Sequence, residues 1–227
     1  MQIWIKVGIF AVIIVFVIIA VIVGNIFEKK RREKMRALAA DLNFEFFEKG
    51  LADLLTALGS FHLFGLGKGR TMVNLMRGAA GGIELDIFDY RYVTGSGRHQ
   101  QTMSHTVFAA RNDAMSLPRF TLRPASFWSR VGGLLGYRDI KFDTHPKFSK
   151  LYNLKGADET AIREVFQPQV LEYFEEHPKL NVEAADDRLI YFMASKLAVE
   201  KIRDFMGEGF TVLSLFQPTE AAPAPAE

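Results

Sequence analysis

The sequence predicts an α+β protein, with an N-terminal transmembrane helix followed by an antiparallel-sheet domain with peripheral helices. Three observations point to it. Val7 to Phe27 holds no charged residue over 21 positions. The half of the chain that follows alternates apolar and polar residues in strand-length runs separated by glycine-rich turns. The last third carries apolar residues at helical spacing, punctuated by proline.

At a rise of 1.5 Å per residue, the apolar run spans roughly 30 Å, the thickness of a bilayer's hydrocarbon. It is apolar on every face, unlike the helices of water-facing domains. A cleaved signal peptide would have an apolar region of about 7–15 residues and a small-residue cleavage site. Here the run is longer and leads into EKKRREKMR. Residues 1–27 therefore read as an uncleaved signal anchor. Residues 28–36 form a basic collar of Lys29, Lys30, Arg31, Arg32, Lys34 and Arg36, while the other flank offers Lys6 and the amino terminus. The positive-inside rule then puts the N-terminus outside and the rest of the chain in the cytoplasm, as in a single-pass inner-membrane protein. Trp4 suits the outer interfacial belt. Ala20 and Gly24 form one small-xxx-small pair, a weak signal for self-association.

The formal net charge of +2 is unevenly spread. Setting aside residues 1–36 leaves 21 basic against 24 acidic residues, a net −3 for 37–227. The basic excess is thus juxtamembrane, where it is expected to lie on anionic lipid at about 1 kcal/mol per charge. It is not the basic face of a nucleic-acid-binding domain. The absence of cysteine excludes disulfides, thiolate metal sites and Cys nucleophiles.

Residues 37–216 carry the folded domain, with a possible division near 145–150. Arg32 to Leu42 repeats Met35, Leu38 and Leu42 at helical spacing and continues from the anchor or breaks just after it. Leu42 to Phe47 reads as a strand and Leu51 to Leu58 as a helix. Phe61 to Arg70 reads as a loop. Thr71 to Gly78 and Ile83 to Val93 are strands joined at the turn signal Ala79-Ala80-Gly81-Gly82, and Thr102 to Arg111 and Arg119 to Arg123 are further strands. Ser126 to Leu135 is amphipathic and reads as a helix bearing Phe127 and Trp128. Leu151 to Leu154 is a short strand. Asp158 caps a helix with Ile162, Val165 and Phe166. Pro168 opens the next, with Val170, Leu171 and Phe174 inward. Leu180 to Ala184 and Leu189 to Met193 form a hairpin, and Val199 to Phe216 a last helix. Residues 217–227, rich in Pro and Ala, have little to bury and are expected to form a disordered tail.

GLGKGR at Gly65 to Arg70 is not a phosphate loop, because His62 and Gly69 stand where Gly and Ser or Thr are required. Thr94-Gly95-Ser96-Gly97 is not a nucleophile elbow, since the glycines are immediate neighbours of the serine. They suit a hairpin tip, where Arg98 and His99 are placed to contact a partner or an anionic group. The five histidines show no metal-ligand spacing, and His145 and His177 precede proline and read as turn residues. No metal or cofactor is expected. Asp86 and Asp89 are three apart on a strand and face opposite ways, so they are not a paired-carboxylate site. The apolar face of that strand switches at Ile87-Phe88. A bulge, or a strand covered on each side in turn, accounts for it. Phe88, Tyr90 and Tyr92 are either core or an exposed binding ladder. Trp128 is either core or, with Arg123, Arg130 and Arg138 nearby, part of an interfacial helix.

The runs RREKMRALAADLNFEF, FDYRYVTGSG, FTLRP and FWSRVGGLLGYRDIKFDTHPKFSKLYNLKG resemble a group of uncharacterised bacterial membrane proteins. Those have one N-terminal membrane helix and a cytoplasmic α+β domain. FSKLYNLKGADETAIREVF also resembles the core of a broader membrane-associated family. The resemblance covers most of residues 30–216 and implies topology and fold, with no activity or catalytic residues.

The expected function is a membrane-tethered binding or scaffolding module. Its partners are lipid, through anchor and collar, and a protein or a second copy of the chain. Two alternatives stand beside it. One is a membrane-anchored hydrolase or transferase assembled from distant residues, with His99 or His105 beside Asp86 or Asp89. The other is a lipid-responsive surface domain.

Overall fold

A computed structural model describes residues 2–125 and 138–217, and within the first thirteen residues the side chain of Phe10 alone. The expected helix Ser126–Leu135 with Trp128, the tail beyond Gln217 and the side chain of Trp4 lie outside the described residues.

Helix α1 runs unbroken from Gln2 to Asp41, about 60 Å at helical rise. The uncharged run and the collar are therefore one element. Its apolar part projects from the domain, with Phe10 and the large side chains between Ile14 and Phe27 each 43–74% exposed. Its last turns dock: Met35 and Ala39, four apart, are fully buried. The helix stops at Asn43, which takes a left-handed φ of 55°. Phe44 N–H bonds to Ala39 O at 2.8 Å and Asn43 N–H to Ala40 O at 3.1 Å. This is a Schellman cap, with Asn doing what Gly more often does.

The cap turns the chain into β1 (Glu45–Lys49). Helices α2 (Ala52–Leu58) and α3 (His62–Gly65) follow, the latter inside the expected loop. Then come β2 (Lys68–Ala80), β3 (Ile83–Thr94), β4 (Gln101–Arg111) and β5 (Leu117–Pro124). Gly81 and Gly82 both have positive φ, the pairing that a tight β2–β3 hairpin requires. Beyond residue 138 come α4 (Pro146–Leu151), β6 (Tyr152–Gly156), α5 (Glu159–Val165), α6 (Pro168–Glu176), β7 (Asn181–Asp186), β8 (Arg188–Phe192) and α7 (Ile202–Ser214). Helix α4 replaces the turn expected at His145-Pro146. Proline is tolerated in a first helical turn, and the turn buries Phe148 completely. Asp158 caps α5, accepting the Ala161 N–H at 3.0 Å.

All eight strands form one antiparallel sheet in the order β1-β2-β3-β4-β8-β7-β5-β6. Strands from both halves of the chain share it, so residues 145–150 do not divide one sheet from another. One face packs against the end of α1 and against α4 to α7. The other packs against α2 and α3. The β3–β4 ladder is unbroken from Glu84–Arg111 to Thr94–Gln101. The face switch at Ile87-Phe88 is thus no bulge in β3. Leu85 and Ile87 enter one core while Phe88, Tyr90 and Tyr92 enter the other. A bulge does exist in the neighbouring β2, between Val73 and Met76, where Asn74 has φ 54°.

Candidate functional site

Phe88, Tyr90 and Tyr92 are 0%, 1% and 0% exposed. They form no exposed ladder, because Leu54, Leu58, Leu63 and Phe64 of α2 and α3 cover that face. Their rings continue a buried aromatic row, with Phe64–Tyr90 at 4.6 Å, Tyr92–His105 at 5.6 Å and His105–Phe192 at 5.4 Å. The hydroxyls of Tyr90 and Tyr92 meet no acceptor among the described residues, and burial pushes the Tyr90 hydroxyl up to about 12. Arg98 and His99 are exposed on a single 3-10 turn, Gly97–His99, at the tip of the β3–β4 hairpin. Trp128 is outside the described residues.

The collar is where the structure adds most. Arg31 is turned into the domain, its side chain 11% exposed, against Asp89 at 5%. Its Nε donates to Asp89 Oδ2 at 2.6 Å and its Nη2 to Oδ1 at 2.7 Å. That is a bidentate fork, the strongest geometry available to a carboxylate. The remaining Nη1 donates to the Leu197 carbonyl at 2.5 Å. Asp89 also accepts from Asn74 Nδ2 at 2.9 Å and Thr106 Oγ1 at 3.2 Å. The bulge at Asn74 has this local role: it aims the amide at Asp89. Thr106 Oγ1 in turn accepts the Leu197 N–H at 3.0 Å. Five chain segments thus meet at one buried clasp.

The other collar residues are bound more loosely. Arg32 and Arg36 share Glu48 at 3.2 and 2.5 Å, and Lys34 meets Glu200 at 2.5 Å, all with exposed carboxylates. Lys29 and Lys30 are exposed and have no partner among the described residues. Four of the six cations expected to lie on lipid are therefore engaged by the domain. Beside the clasp, Asn25, Glu28 and Arg32 of α1 and the facing ends of β2, β3 and β4 line a polar cleft of about 360 Å³.

Sequence reasoning missed Asp89 as a partner. Its local signal was a carboxylate set among Ile87, Phe88, Tyr90 and Tyr92. The arrangement of His99 or His105 beside Asp86 or Asp89 is not assembled. His105 is buried in the α2–α3 face with Nδ1 at 2.9 Å from the Met193 carbonyl, whereas Asp89 faces α1. Asp86 lies further along β3, paired with Arg77 at 2.7 Å.

A second cavity of about 260 Å³ lies between the α2–α3 connection and β5, β6 and β7. Glu183 on its wall is 1% exposed and accepts from the His62 and Leu63 backbone N–H groups at 2.6 and 2.9 Å. It also pairs with the fully buried Arg123, whose guanidinium sits 4.4 Å over the Phe192 ring. Burial pushes the Glu183 carboxyl up, and Arg123 pulls against that shift. The group serves to pin the start of α3 to the sheet.

Fold and clasp together define a class: an eight-stranded antiparallel sheet between helical layers, locked to the end of a long N-terminal helix. No protein-family model matches the chain, and no curated protein does. Among solved structures, it is similar to the crystal structure of the mycobacterial trehalose monomycolate transport factor A, TtfA. The TM-score is 0.58 at 14% identity, covering 82% of this chain and 92% of that one. At that identity the likeness is one of fold.

Proposed function

We propose that the protein is a single-pass inner-membrane module, N-terminus outside, whose cytoplasmic domain binds or scaffolds a partner at the membrane surface. Among the described residues no helix is long and apolar enough to cross a membrane. The proposed span draws on Val7 to Phe27 in the sequence, part of which lacks described side chains. One observation carries the reading. The exposed apolar stretch of α1 and its docked end are a single helix, clasped to the sheet through Arg31 and Asp89. Such a joint holds the domain at a fixed distance from the bilayer, as a flexible linker does not. The resemblance to single-pass membrane proteins supports the same topology. The name of the similar structure, a trehalose monomycolate transport factor, supports a lipid-related role for this fold.

The chain has no cysteine, so single-cysteine variants report topology directly. In intact spheroplasts, an impermeant maleimide is expected to label Gln2→Cys but not Ser96→Cys, which reacts only after permeabilisation. The reverse pattern overturns the orientation. Release of the protein by alkaline carbonate overturns the anchor.

A further inference from the structure

The sheet face that packs on α1 changes character toward the β3–β4 hairpin. Met35 and Ala39 share a core with Met76, Leu85 and Ile87. Arg31 meets Asp89. Nearer the hairpin, the cross-strand row is Thr71–Arg91–Ser104, and Thr102 pairs with Val93 beyond it. These hydroxyls and Arg91 line the polar cleft opposite Asn25 and Arg32. Moving toward the N-terminus of α1 is thus moving toward the hairpin. The cleft opens beside Asn25 and Glu28, at the end of the uncharged run.

Its carboxylates are already matched. Asp89 is held by Arg31, and Glu28 meets Lys196 at 2.7 Å. Arg91 is exposed and bonded to no described residue, and Arg32 Nε is shielded from solvent without an acceptor among them. Charge along the sheet is lopsided in the same sense. Residues 54–83 and 90–112 contain no Asp or Glu. The hairpin end of the sheet carries Lys68, Arg70, Arg91 and Arg98. Glu84, Asp86, Asp113 and Asp187 gather at the far end, around Arg77 and Arg111.

We propose that this cleft binds the phosphate of an anionic lipid headgroup in the leaflet from which α1 emerges. Arg91 supplies a guanidinium fork, and Thr71, Thr102 and Ser104 supply hydroxyl donors to the remaining phosphate oxygens. A lipid is the source because the cleft lies at the end of the apolar run, where headgroups lie if that run spans the bilayer. The inference rests on the anchoring proposed above and names the ligand of the membrane-facing end.

The test uses the full chain in mild detergent, with retained lipid read by native mass spectrometry after adding phosphatidylglycerol or phosphatidylcholine. One phosphatidylglycerol is expected to be retained in preference to phosphatidylcholine. Arg91→Gln should lower its retention about tenfold or more, the loss expected for a charge-assisted fork. Thr102→Val should lower it less, and Arg163→Gln on α5 not at all. Arg91 is exposed, so its variant keeps the fold, which circular dichroism checks. Equal retention of the two lipids, or wild-type retention by Arg91→Gln, overturns the proposal. Displacement of the lipid by inorganic phosphate overturns the lipid as source. Failure of the anchor would show instead as carbonate release, which does not affect lipid retention in detergent.

Discussion

Replacing Arg31 by Met keeps an apolar stem of similar length and removes the guanidinium. Asp89 is then left 5% exposed with Asn74 and Thr106 as its donors, and the Leu197 carbonyl loses a bond. Breaking one side of a buried ion pair costs about 3–5 kcal/mol. The two surviving donors soften this, so a loss of about 2–4 kcal/mol is expected. Asp89→Asn keeps one acceptor and should cost about 2 kcal/mol. The double variant Arg31→Met/Asp89→Asn should cost less than the two single costs together, with a coupling of about 2 kcal/mol. Lys34→Met is the contrast. Its pair with Glu200 is 60% and 64% exposed, and such pairs contribute about 0–1 kcal/mol. The assay is urea unfolding of the full chain in micelles by circular dichroism, with hydrogen exchange of the 28–41 amides. Additive costs, or a loss for Arg31→Met no larger than for Lys34→Met, would refute the clasp as the fastening of α1.

Burial holds His62 neutral, down to about 4, with Arg123 and Lys155 acting in the same direction; burial also lowers His105. The unfolded chain protonates both near pH 6.5, so it binds more protons than the fold below that pH. Stability should be complete above about pH 6.5 and fall as pH drops from there toward about 4; urea midpoints across that range, flattened in His62→Gln, check this. Tyr92→Phe removes a buried hydroxyl without an acceptor among the described residues and should change stability by no more than about 1 kcal/mol, or raise it. Phe88→Ala in the same core should cost about 3–5 kcal/mol, by the same unfolding measurement. Gly67 has φ 57°, and a Cβ there would meet the Val93 carbonyl and, at 2.8 Å, the Tyr92 ring. Gly67→Ala should therefore lower Tm by several degrees.

Much of the fold was readable locally. Leu51 to Leu58, the hairpin at Gly81-Gly82, the Asp158 cap and the Pro168 start each depend on a few neighbouring residues, and each lies within three residues of where the local signal puts it. Helix α4 was missed because His145-Pro146 carries a turn signal and a helix-start signal at once. The stretch Phe61 to Arg70 hid α3 behind its glycines, since the contacts that stabilise that turn come from Glu183. Of the candidate surface residues, Arg98 and His99 are exposed as the hairpin tip implies. Phe88, Tyr90 and Tyr92 are not, and alternation in one strand cannot say whether its second face is covered.

The uncharged run, its basic collar and the alternation of strand and helix are one-dimensional properties, and the sequence by itself determined them. What the collar does was decided in three dimensions. Arg31 and Lys30 are equivalent in the sequence, yet one is half-buried against a carboxylate 58 positions away and the other is exposed. The cleft beside them draws on α1, three strands and Lys196. Such a site has no local period, because closing distant segments against one another depends on the whole packed sheet.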